Sequence, residues 1–379
     1  MTAVSREFQI FTKPVGARCN LKCSYCYYLD KEKLYLHAKH KAMPDDILEK
    51  YVIQHISATT DDVIFFSWHG GEPLLAGLEF YRRVIEIQNI NCPAGKRIIN
   101  GIQTNGTLLD EEWCKFLSDN EFITGISIDG PAELHDRHRK TFSGKNSHQG
   151  IVRGYNLLRK HGINPEILCV VSSTNVKYPV DVYAHFRELG AEYITFLPLV
   201  ERIDIHTESV SERSVGSCDF GLFLSAIFDE WQTEDIGRIK IQIIEEAVRT
   251  AFNQEHTLCI FKERCGGVPV VESNGDFYSC DHYVDSEHLL GNIAEHPLSF
   301  FLDHPGQKSF GDLKLNTLPA YCLSCDVREM CNGECPKNRF IKTPEGENGL
   351  NYLCEGYKYF FRHIQPFVSA VKHEWGKTS

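Results

Sequence analysis

The distribution of cysteine constrains this chain more than any other feature of its sequence. The chain has 15 cysteines among 379 residues. Three lie close together at Cys19, Cys23 and Cys26, and eight more lie between Cys259 and Cys354. A reducing compartment keeps thiols from forming disulfides, so cysteines clustered in this way predict metal binding. We expect one metal site near the start of the chain and at least one near its end.

The overall composition is that of an ordinary globular protein. Hydrophobic residues make up 42% of the chain and charged residues 24%, which excludes extended disorder. The formal net charge of −11 argues against sequence-independent binding of nucleic acid, which requires clustered lysine and arginine. No apolar run is as long as a membrane span, and Met1–Lys13 lacks the apolar core of a signal peptide. We therefore expect a cytoplasmic protein that binds neither nucleic acid nor membrane.

Strand and helix patterns alternate through the first two-thirds of the chain. Six short apolar runs are typical of strands: Phe8–Thr12, Val63–Trp68, Arg97–Gln103, Ile123–Ile128, Glu166–Val171 and Tyr193–Leu197. Helix-like stretches separate them, and Asp110 is suited to cap one of these helices. Six strand–helix units in series predict an α/β fold, a partial (β/α)6 barrel with its chemistry at the carboxyl ends of parallel strands.

The last third of the chain has a different pattern. After His256 we expect short strands, many turns and dense cysteine, and then a closing helix over Tyr352–Lys372. A small domain with little apolar core needs metal to hold it together. The sequence therefore predicts a barrel domain over residues 1–235 and a linker with a small Cys-rich domain over 236–379.

The front cysteines have the spacing C-x3-C-x2-C, on the loop that follows the first predicted strand. Three thiolates cannot complete a four-ligand iron–sulfur cluster, so one iron would stay open and could chelate a small molecule. Zinc is the alternative, but structural zinc prefers four ligands.

Further motifs follow successive predicted strands. Gly70-Gly71-Glu72 follows the second strand, where paired glycines let the backbone approach a ligand and a carboxylate suits an ammonium group. Gln103–Thr107 follows the third strand, and Ser127–Gly130 follows the fourth. Arg139 comes next, and its planar guanidinium suits a carboxylate, although a solvated arginine in the basic run Arg137–Lys140 is an equal alternative.

These motifs, in this order, resemble the radical S-adenosylmethionine (radical SAM) superfamily, whose signature also has an aromatic residue before the last cysteine, as Tyr25 is here. The resemblance implies that Cys19, Cys23 and Cys26 hold a 4Fe-4S cluster that binds S-adenosylmethionine. It also implies a set of residues that contact this cofactor: Tyr25, Gly71, Glu72, Ser127, Arg139 and Val200.

The rear cysteines number eight, which is the ligand count of two fully ligated clusters. The first three have the spacing C-x5-C-x14-C, and the next four C-x2-C-x5-C-x3-C. Spacing alone neither pairs these ligands nor excludes two zinc sites, because C-x2-C also occurs in zinc knuckles.

The whole arrangement resembles a radical SAM barrel followed by a SPASM domain, and most nearly the anaerobic sulfatase-maturating enzymes. The resemblance implies three 4Fe-4S clusters, with two auxiliary clusters in the Cys-rich domain. One auxiliary cluster would take Cys259, Cys265, Cys280 and Cys335, and the other would take Cys322, Cys325, Cys331 and Cys354.

The same resemblance implies roles for three further residues. Asp281, next to Cys280, would be the catalytic base, and Tyr28 and His69 would lie near the substrate. On the residues alone, Asp281 could cap a turn and Tyr28 could be ordinary packing. His69 departs from the family, which commonly has glutamine there, and histidine ordinarily titrates near neutral pH.

The implied activity is oxidation of a Cys or Ser of a sulfatase polypeptide to Cα-formylglycine, with a low-potential electron donor such as flavodoxin or ferredoxin. Two alternatives are a related enzyme that forms thioether or carbon–carbon cross-links in a ribosomal peptide, and a non-enzymatic iron–sulfur electron carrier. The carrier would have no need of Gly71, Glu72 and Arg139 together.

Overall fold

The computed structural model describes residues 8–35, 41–204 and 206–378. Its strands, in chain order, are β1 Phe11–Thr12, β2 Val63–Trp68, β3 Arg97–Thr104, β4 Ile123–Ser127, β5 Glu166–Val171, β6 Tyr193–Pro198, β7 Lys240–Ile241, β8 Val270–Val271, β9 Asp276–Tyr278, β10 Leu289–Asn292, β11 Arg339–Lys342 and β12 Asn348–Asn351.

Thirteen α-helices lie in the described part of the chain: α1 Asp45–Ala58, α2 Leu78–Asn91, α3 Glu111–Asp119, α4 Ala132–His135, α5 His148–Lys160, α6 Pro179–Glu188, α7 Ser217–Glu234, α8 Gln242–Ala251, α9 Leu298–Leu302, α10 Pro305–Asn316, α11 Ala320–Leu323, α12 Arg328–Cys331 and α13 Cys354–Thr378. Four 3-10 helices cover Leu29–Tyr35, Pro73–Ala76, Asn175–Lys177 and Pro336–Asn338. None of the helices described has the length and apolar character needed to span a lipid bilayer.

All six predicted strand–helix units are present, and β2 and β5 have the predicted bounds. The first strand is shorter than predicted, because only Phe11 and Thr12 pair with both neighbouring strands. Asp110 caps α3 as expected, since its carboxylate accepts a hydrogen bond of 2.8 Å from the Trp113 amide. The closing helix is also present, as α13.

The chain forms two compact units, each built from several segments. The first unit comprises Met1–Ile126, Arg139–Pro165 and Gly266–Gly311, and the second comprises Ser127–His138, Glu166–Cys265 and Asp312–Ser379. The boundary predicted at residues 235/236 follows motifs rather than compactness, and it stays a prediction.

In the first unit, the strands β8, β1, β2, β3 and β4 lie side by side and are parallel. β9 and β10 extend this sheet by antiparallel pairing beyond β8. The buried rings of Tyr51, Phe66, Trp68 and Tyr81 pack behind the sheet. The parallel order brings the residues that follow β1, β2 and β3 to the same edge, where the motifs lie.

In the second unit, β5, β6 and β7 are parallel, and β11 pairs with β12. Helices α7 and α13 cross at Gly221 and Gly356. A Cβ at Gly221 would lie 2.4 Å from the Gly356 carbonyl oxygen, so this crossing requires glycine. The aromatic rings of Phe228, Trp231 and Phe367 pack in the same helix pair.

The prediction of short strands and turns after His256 is wrong for α10, which is 12 residues long. This helix begins with Pro305 and Gly306, and two of its fully buried side chains, Gln307 and Lys314, are polar. A buried face made of polar groups leaves no apolar periodicity for a sequence pattern to detect.

Candidate active site and cluster-binding segments

The cysteine loop (Gly16–Cys26) and the glycine turn (Gly70–Glu72) are in direct backbone contact. The Gly71 amide donates to the Gly16 carbonyl and the Glu72 amide to the Arg18 carbonyl, each at 2.8 Å. A Cβ at Gly71 would lie 2.1 Å from the Arg18 carbonyl oxygen, so no other residue fits. The second glycine of the motif therefore joins the turn to the loop that presents Cys19.

The Cys19 sulfur is surrounded by N–H donors. The Leu21 amide lies 3.4 Å from Sγ and the Asn105 Nδ2 lies 3.7 Å from it. Burial raises the pKa of the Cys19 thiol to about 12, and the negative charges of Glu72, Cys23 and Cys26 act in the same direction. Hydrogen bonds to sulfur are typical of iron-bound thiolates, and a metal would supply the charge that burial withholds. The surroundings of Cys19 therefore fit those of an iron-bound thiolate.

Glu72 is fully buried, and its carboxylate is largely engaged by the protein. It accepts hydrogen bonds from the Leu74 amide at 3.0 Å, the Thr104 hydroxyl at 2.6 Å and the Asn105 amide at 2.8 Å. Burial raises the pKa of Glu72 to about 7. A carboxylate has about four acceptor positions, so these contacts leave about one for a ligand. Contact with the cofactor's ammonium group stays a prediction.

Arg139 is 8% exposed, so the alternative of a solvated surface arginine is wrong. Its guanidinium lies over the ring of Tyr25, 5.4 Å from the ring centroid. The Lys22 amide donates to the Lys140 carbonyl at 2.7 Å, which fixes this segment against the cysteine loop. The structure thus brings together Tyr25 and Arg139, two of the residues predicted to contact the cofactor.

Ser127 ends β4 and Val200 follows β6, and both belong to the second unit. Val200 is 7% exposed, and its carbonyl accepts from Lys337 at 3.5 Å. Their contacts with S-adenosylmethionine stay predictions.

Asp281 is buried and forms an ion pair. Its Oδ1 lies 2.5 Å from Nζ of Lys13, which is 2% exposed, and its Oδ2 accepts a hydrogen bond from the Tyr27 hydroxyl. Burial alone would raise the pKa of Asp281, but the charges of Lys13 and His282 and the hydrogen bonds hold it at about 2. Asp281 is therefore an ionised acceptor and not only a turn cap.

Tyr28 is 2% exposed, and its hydroxyl donates to the buried carboxylate of Glu272. The Lys13 ammonium lies 4.3 Å from the centroid of the Tyr28 ring. Burial raises the pKa of Glu272 to about 7, which favours its neutral form. A substrate contact of the Tyr28 hydroxyl stays a prediction, while Tyr28 itself packs around Lys13.

His69 stacks on Phe11 with 3.9 Å between ring centroids, and its Nε2 lies 3.0 Å from the Ser67 hydroxyl. Desolvation and the nearby Lys13 charge lower the pKa of His69 to about 3. The expectation that this histidine titrates near neutral pH is therefore wrong. At physiological pH the ring is therefore neutral.

Sequence reasoning did not identify Lys13, Tyr27 or Glu272 as part of this site, whereas Asn105 lies in the motif Gln103–Thr107. Lysine is almost never buried, so the type of residue gave no signal for Lys13. The position of two of these residues was a usable signal, since Lys13 directly follows β1 and Tyr27 directly follows Cys26.

The cysteines predicted to hold the second auxiliary cluster lie together in the second unit. All four line one small cavity: Cys322, Cys325, Cys331 and Cys354. Burial is the main cause that raises the pKa of the Cys331 and Cys354 thiols to about 12. Four thiols around one cavity fit a fully ligated cluster.

For the first auxiliary cluster, Cys259, Cys265 and Cys335 belong to the second unit and Cys280 to the first. This ligand set stays a prediction. Cys114 and Cys169 are fully buried, as expected for thiols outside any ligand pattern. Across residues 8–35, 41–204 and 206–378, no three His, Cys, Asp or Glu side chains converge on a single metal ion. A 4Fe-4S cluster makes a different demand, because each thiolate binds a different iron.

Two family models match the chain. The radical SAM superfamily matches residues 14–190, and the SPASM iron–sulfur cluster-binding domain matches residues 259–326. The predicted fold class, a radical SAM domain followed by a SPASM domain, is therefore confirmed.

Two curated relatives match nearly the whole chain. A serine-type anaerobic sulfatase-maturating enzyme of Bacteroides thetaiotaomicron is 42% identical, over 98% of this chain and 92% of the relative. A cysteine-type anaerobic sulfatase-maturating enzyme of Clostridium perfringens is 32% identical, over 96% of this chain and 97% of the relative.

A solved structure agrees with these relatives. The structure described as native anSMEcpe with bound AdoMet and Cp18Cys peptide has a TM-score of 0.87 and 31% identity, covering 97% of this chain and 99% of that one. The chain therefore belongs to the anaerobic sulfatase-maturating enzymes of the radical SAM superfamily, whose cofactors are S-adenosylmethionine and 4Fe-4S clusters.

Proposed function

We propose that this protein oxidises the β carbon of a Cys or Ser residue in a sulfatase polypeptide to Cα-formylglycine. The observation that carries the proposal is the buried carboxylate of Asp281, held by Lys13 in the same unit as the Cys19–Cys26 loop. The serine-type and cysteine-type names of its relatives support both substrates.

Cys19, Cys23 and Cys26 would hold the cluster that binds S-adenosylmethionine, and this pair of cofactors supplies a radical that removes a hydrogen atom from the substrate. Asn105 and Leu21 orient the Cys19 sulfur through N–H donors. Glu72 and Arg139 would hold the amino and carboxylate ends of the cofactor.

The substrate side chain must also lose a proton and an electron. Asp281 would take the proton from the thiol or hydroxyl, because it is an ionised, buried acceptor. Lys13 and Tyr27 each contact one oxygen of this carboxylate, and these two contacts fix its orientation. Loss of one hydrogen atom, one proton and one electron converts a serine directly to the aldehyde. A cysteine gives a thioaldehyde, and water then releases hydrogen sulfide.

The auxiliary clusters, when bound, would supply the acceptor for this electron. Cys259, Cys265, Cys280 and Cys335 would hold one of them, and Asp281 directly follows Cys280 in the chain. A low-potential donor of the flavodoxin or ferredoxin type would start each turnover. We also infer that the enzyme works in the cytoplasm, because a reducing compartment keeps cluster-binding cysteines from forming disulfides.

The test is anaerobic reconstitution with two peptides that carry the C-x-[AP]-x-R sulfatase motif, one with Cys and one with Ser at the first position. Mass analysis should show an aldehyde in place of the thiol or the alcohol. A product that has lost two hydrogens and kept its sulfur within a ring would instead identify a cross-linking enzyme. Absence of S-adenosylmethionine cleavage would identify an electron carrier.

A further inference from the structure

Two cationic side chains of the second unit are fixed among the predicted auxiliary ligands. Lys314, on α10, is fully buried. Its ammonium group donates to the carbonyl oxygens of Cys259 at 3.1 Å and Ile260 at 2.7 Å. A buried ammonium therefore holds the backbone at one of the predicted ligands.

Arg339 holds the loop between Cys331 and Cys335. Its guanidinium donates to the carbonyl oxygens of Asn332 at 2.7 Å and Gly333 at 2.8 Å, and also to that of Lys314 at 2.5 Å. A Cβ at Gly333 would lie 2.6 Å from Nη2 of Arg339, so the loop needs glycine to let the guanidinium pass. The two cations thus form one connected group.

No carboxylate forms an ion pair with either cation within the residues that the structure describes. Glu334 is the carboxylate that acts on Arg339, and its own Oε2 is engaged by Asn338 at 3.0 Å and Asn351 at 2.6 Å. Buried cations cost several kcal/mol unless an opposite charge compensates for them. Carbonyl dipoles supply only part of that compensation.

Cysteines of both predicted ligand sets lie beside this pair, because Lys314 donates to the Cys259 carbonyl and Arg339 donates to the loop between Cys331 and Cys335. Burial lowers the pKa of Lys314, while negative charge on Cys265, Cys259 and Cys335 acts to raise it. For Arg339, burial likewise lowers the pKa, and Cys322, Cys331 and Cys265 oppose that shift. Lys314 therefore faces the first auxiliary set, and Arg339 faces both.

A fully ligated cluster carries a net negative charge that increases by one on reduction. A fixed positive charge nearby stabilises the reduced state more than the oxidised state, and net charge is among the determinants of cluster potential. We propose that Lys314 and Arg339, which lie among the second unit's cysteines of both ligand sets, raise the reduction potentials of the auxiliary clusters. The clusters can then accept the one electron that substrate oxidation releases, a step that rests on the proposed function.

The test is a redox titration of the auxiliary clusters, monitored by electron paramagnetic resonance and performed without substrate. The protein carries Ala in place of Cys19, Cys23 and Cys26, so that only the auxiliary clusters contribute to the signal. Lys314→Met should change the ratio of reduced to oxidised cluster at least tenfold for one cluster, a downward shift of about 59 mV for a one-electron couple. Arg339→Gln should shift both clusters downward. Lys314→Arg should retain the potential, because it keeps the charge.

Lys308→Met is the matched control, since Lys308 lies on the same helix but is exposed and pairs with Asp303 at 3.4 Å. It should leave both potentials unchanged. Unchanged potentials in Lys314→Met and Arg339→Gln at full iron content would overturn the proposal, and so would an equal shift in Lys314→Arg. If the neutral variants lose iron, retention of iron in Lys314→Arg and Arg339→Lys supports the role of charge, and its loss there overturns it. Because no substrate is present, these outcomes are independent of whether formylglycine is the product.

Discussion

The front and rear cysteines present the same ligand atom beside different charged groups. At the front, Cys19 has the Glu72 carboxylate nearby, and negative charge there raises the thiol pKa further. At the rear, Lys314 and Arg339 act on Cys265 in the opposite direction, although burial still raises its pKa. A cluster in negative surroundings is a stronger electron donor, and one near cations is a better acceptor. The contrast matches the roles proposed for the two ends, where a front cluster would reduce S-adenosylmethionine and rear clusters would accept an electron.

The largest expected effect is the loss of the front cluster while the rear clusters remain. Replacing Cys19, Cys23 and Cys26 together by Ala should remove about four of about twelve iron atoms, because four iron atoms make up one cluster. It should also abolish cleavage of S-adenosylmethionine. Iron analysis and chromatography of the cleavage products measure both, and Cys218→Ala, an exposed cysteine outside the ligand sets, is the control. Loss of all iron would mean that the front and rear sites do not load independently.

Asp281→Asn tests the proposed proton acceptor. It should slow formylglycine formation at least about 100-fold, because general-base catalysis is worth about 10²–10⁴ in rate. Cleavage of S-adenosylmethionine should continue, since hydrogen abstraction precedes loss of the proton. The ratio of cleaved cofactor to aldehyde measures this uncoupling. Asp285→Asn, on the same segment and paired with His288 at 2.7 Å, is the control. Normal aldehyde formation in Asp281→Asn would exclude this residue as the base.

Arg139→Ala should weaken binding of S-adenosylmethionine about 10-fold or more, since a charge-assisted hydrogen bond is worth about 1.5–3 kcal/mol. Iron content should not change, because Arg139 is not a ligand. Equilibrium binding to the oxidised holoenzyme measures the effect. Arg137→Ala, an exposed arginine two residues earlier, should bind normally. Equal affinity in the two variants would assign Arg139 to packing against Tyr25 alone.

Glu272→Gln should have the smallest effect, on stability alone. The pKa of Glu272 is raised to about 7, so its favourable contribution is complete below about 4.5, the ordinary glutamate value, and is lost as pH rises through 7. The variant should therefore match the wild type at about pH 4 and exceed it by roughly 1–3 kcal/mol at about pH 8. Anaerobic urea unfolding at the two pH values measures this, and Glu287→Gln is the exposed control. A constant difference between variant and wild type at both pH values would contradict the assignment.

Much of the fold was predictable because its signals are local. The strands β2 and β5 and the Asp110 cap depend on residues close together in the sequence, and so do the front cysteine spacing and the glycine turn. Helix α10 was not predictable, because Gln307 and Lys314 occupy buried positions where apolar periodicity would have revealed a helix.

The candidate site was predictable in its ligands but not in its ion pair. Lys13 and Asp281 lie far apart in the chain, and the parallel pairing of β1 with β8 brings them together. The burial of Arg139 was also not predictable, because the basic run Arg137–Lys140 is typical of an exposed surface segment. The neutral state of His69 depends on its neighbours Phe11 and Lys13, which no local pattern identifies.

The contact of Gly71 with the Arg18 carbonyl has a consequence for how this enzyme can vary. The gap between them has no room for a methyl group, so a side chain at position 71 would displace the loop that carries Cys19. Substitutions in the turn and in the loop should therefore not be additive, because both act on one shared backbone contact. A library designed to vary this region should change the two segments jointly, since the effect of a substitution in one depends on the residue in the other.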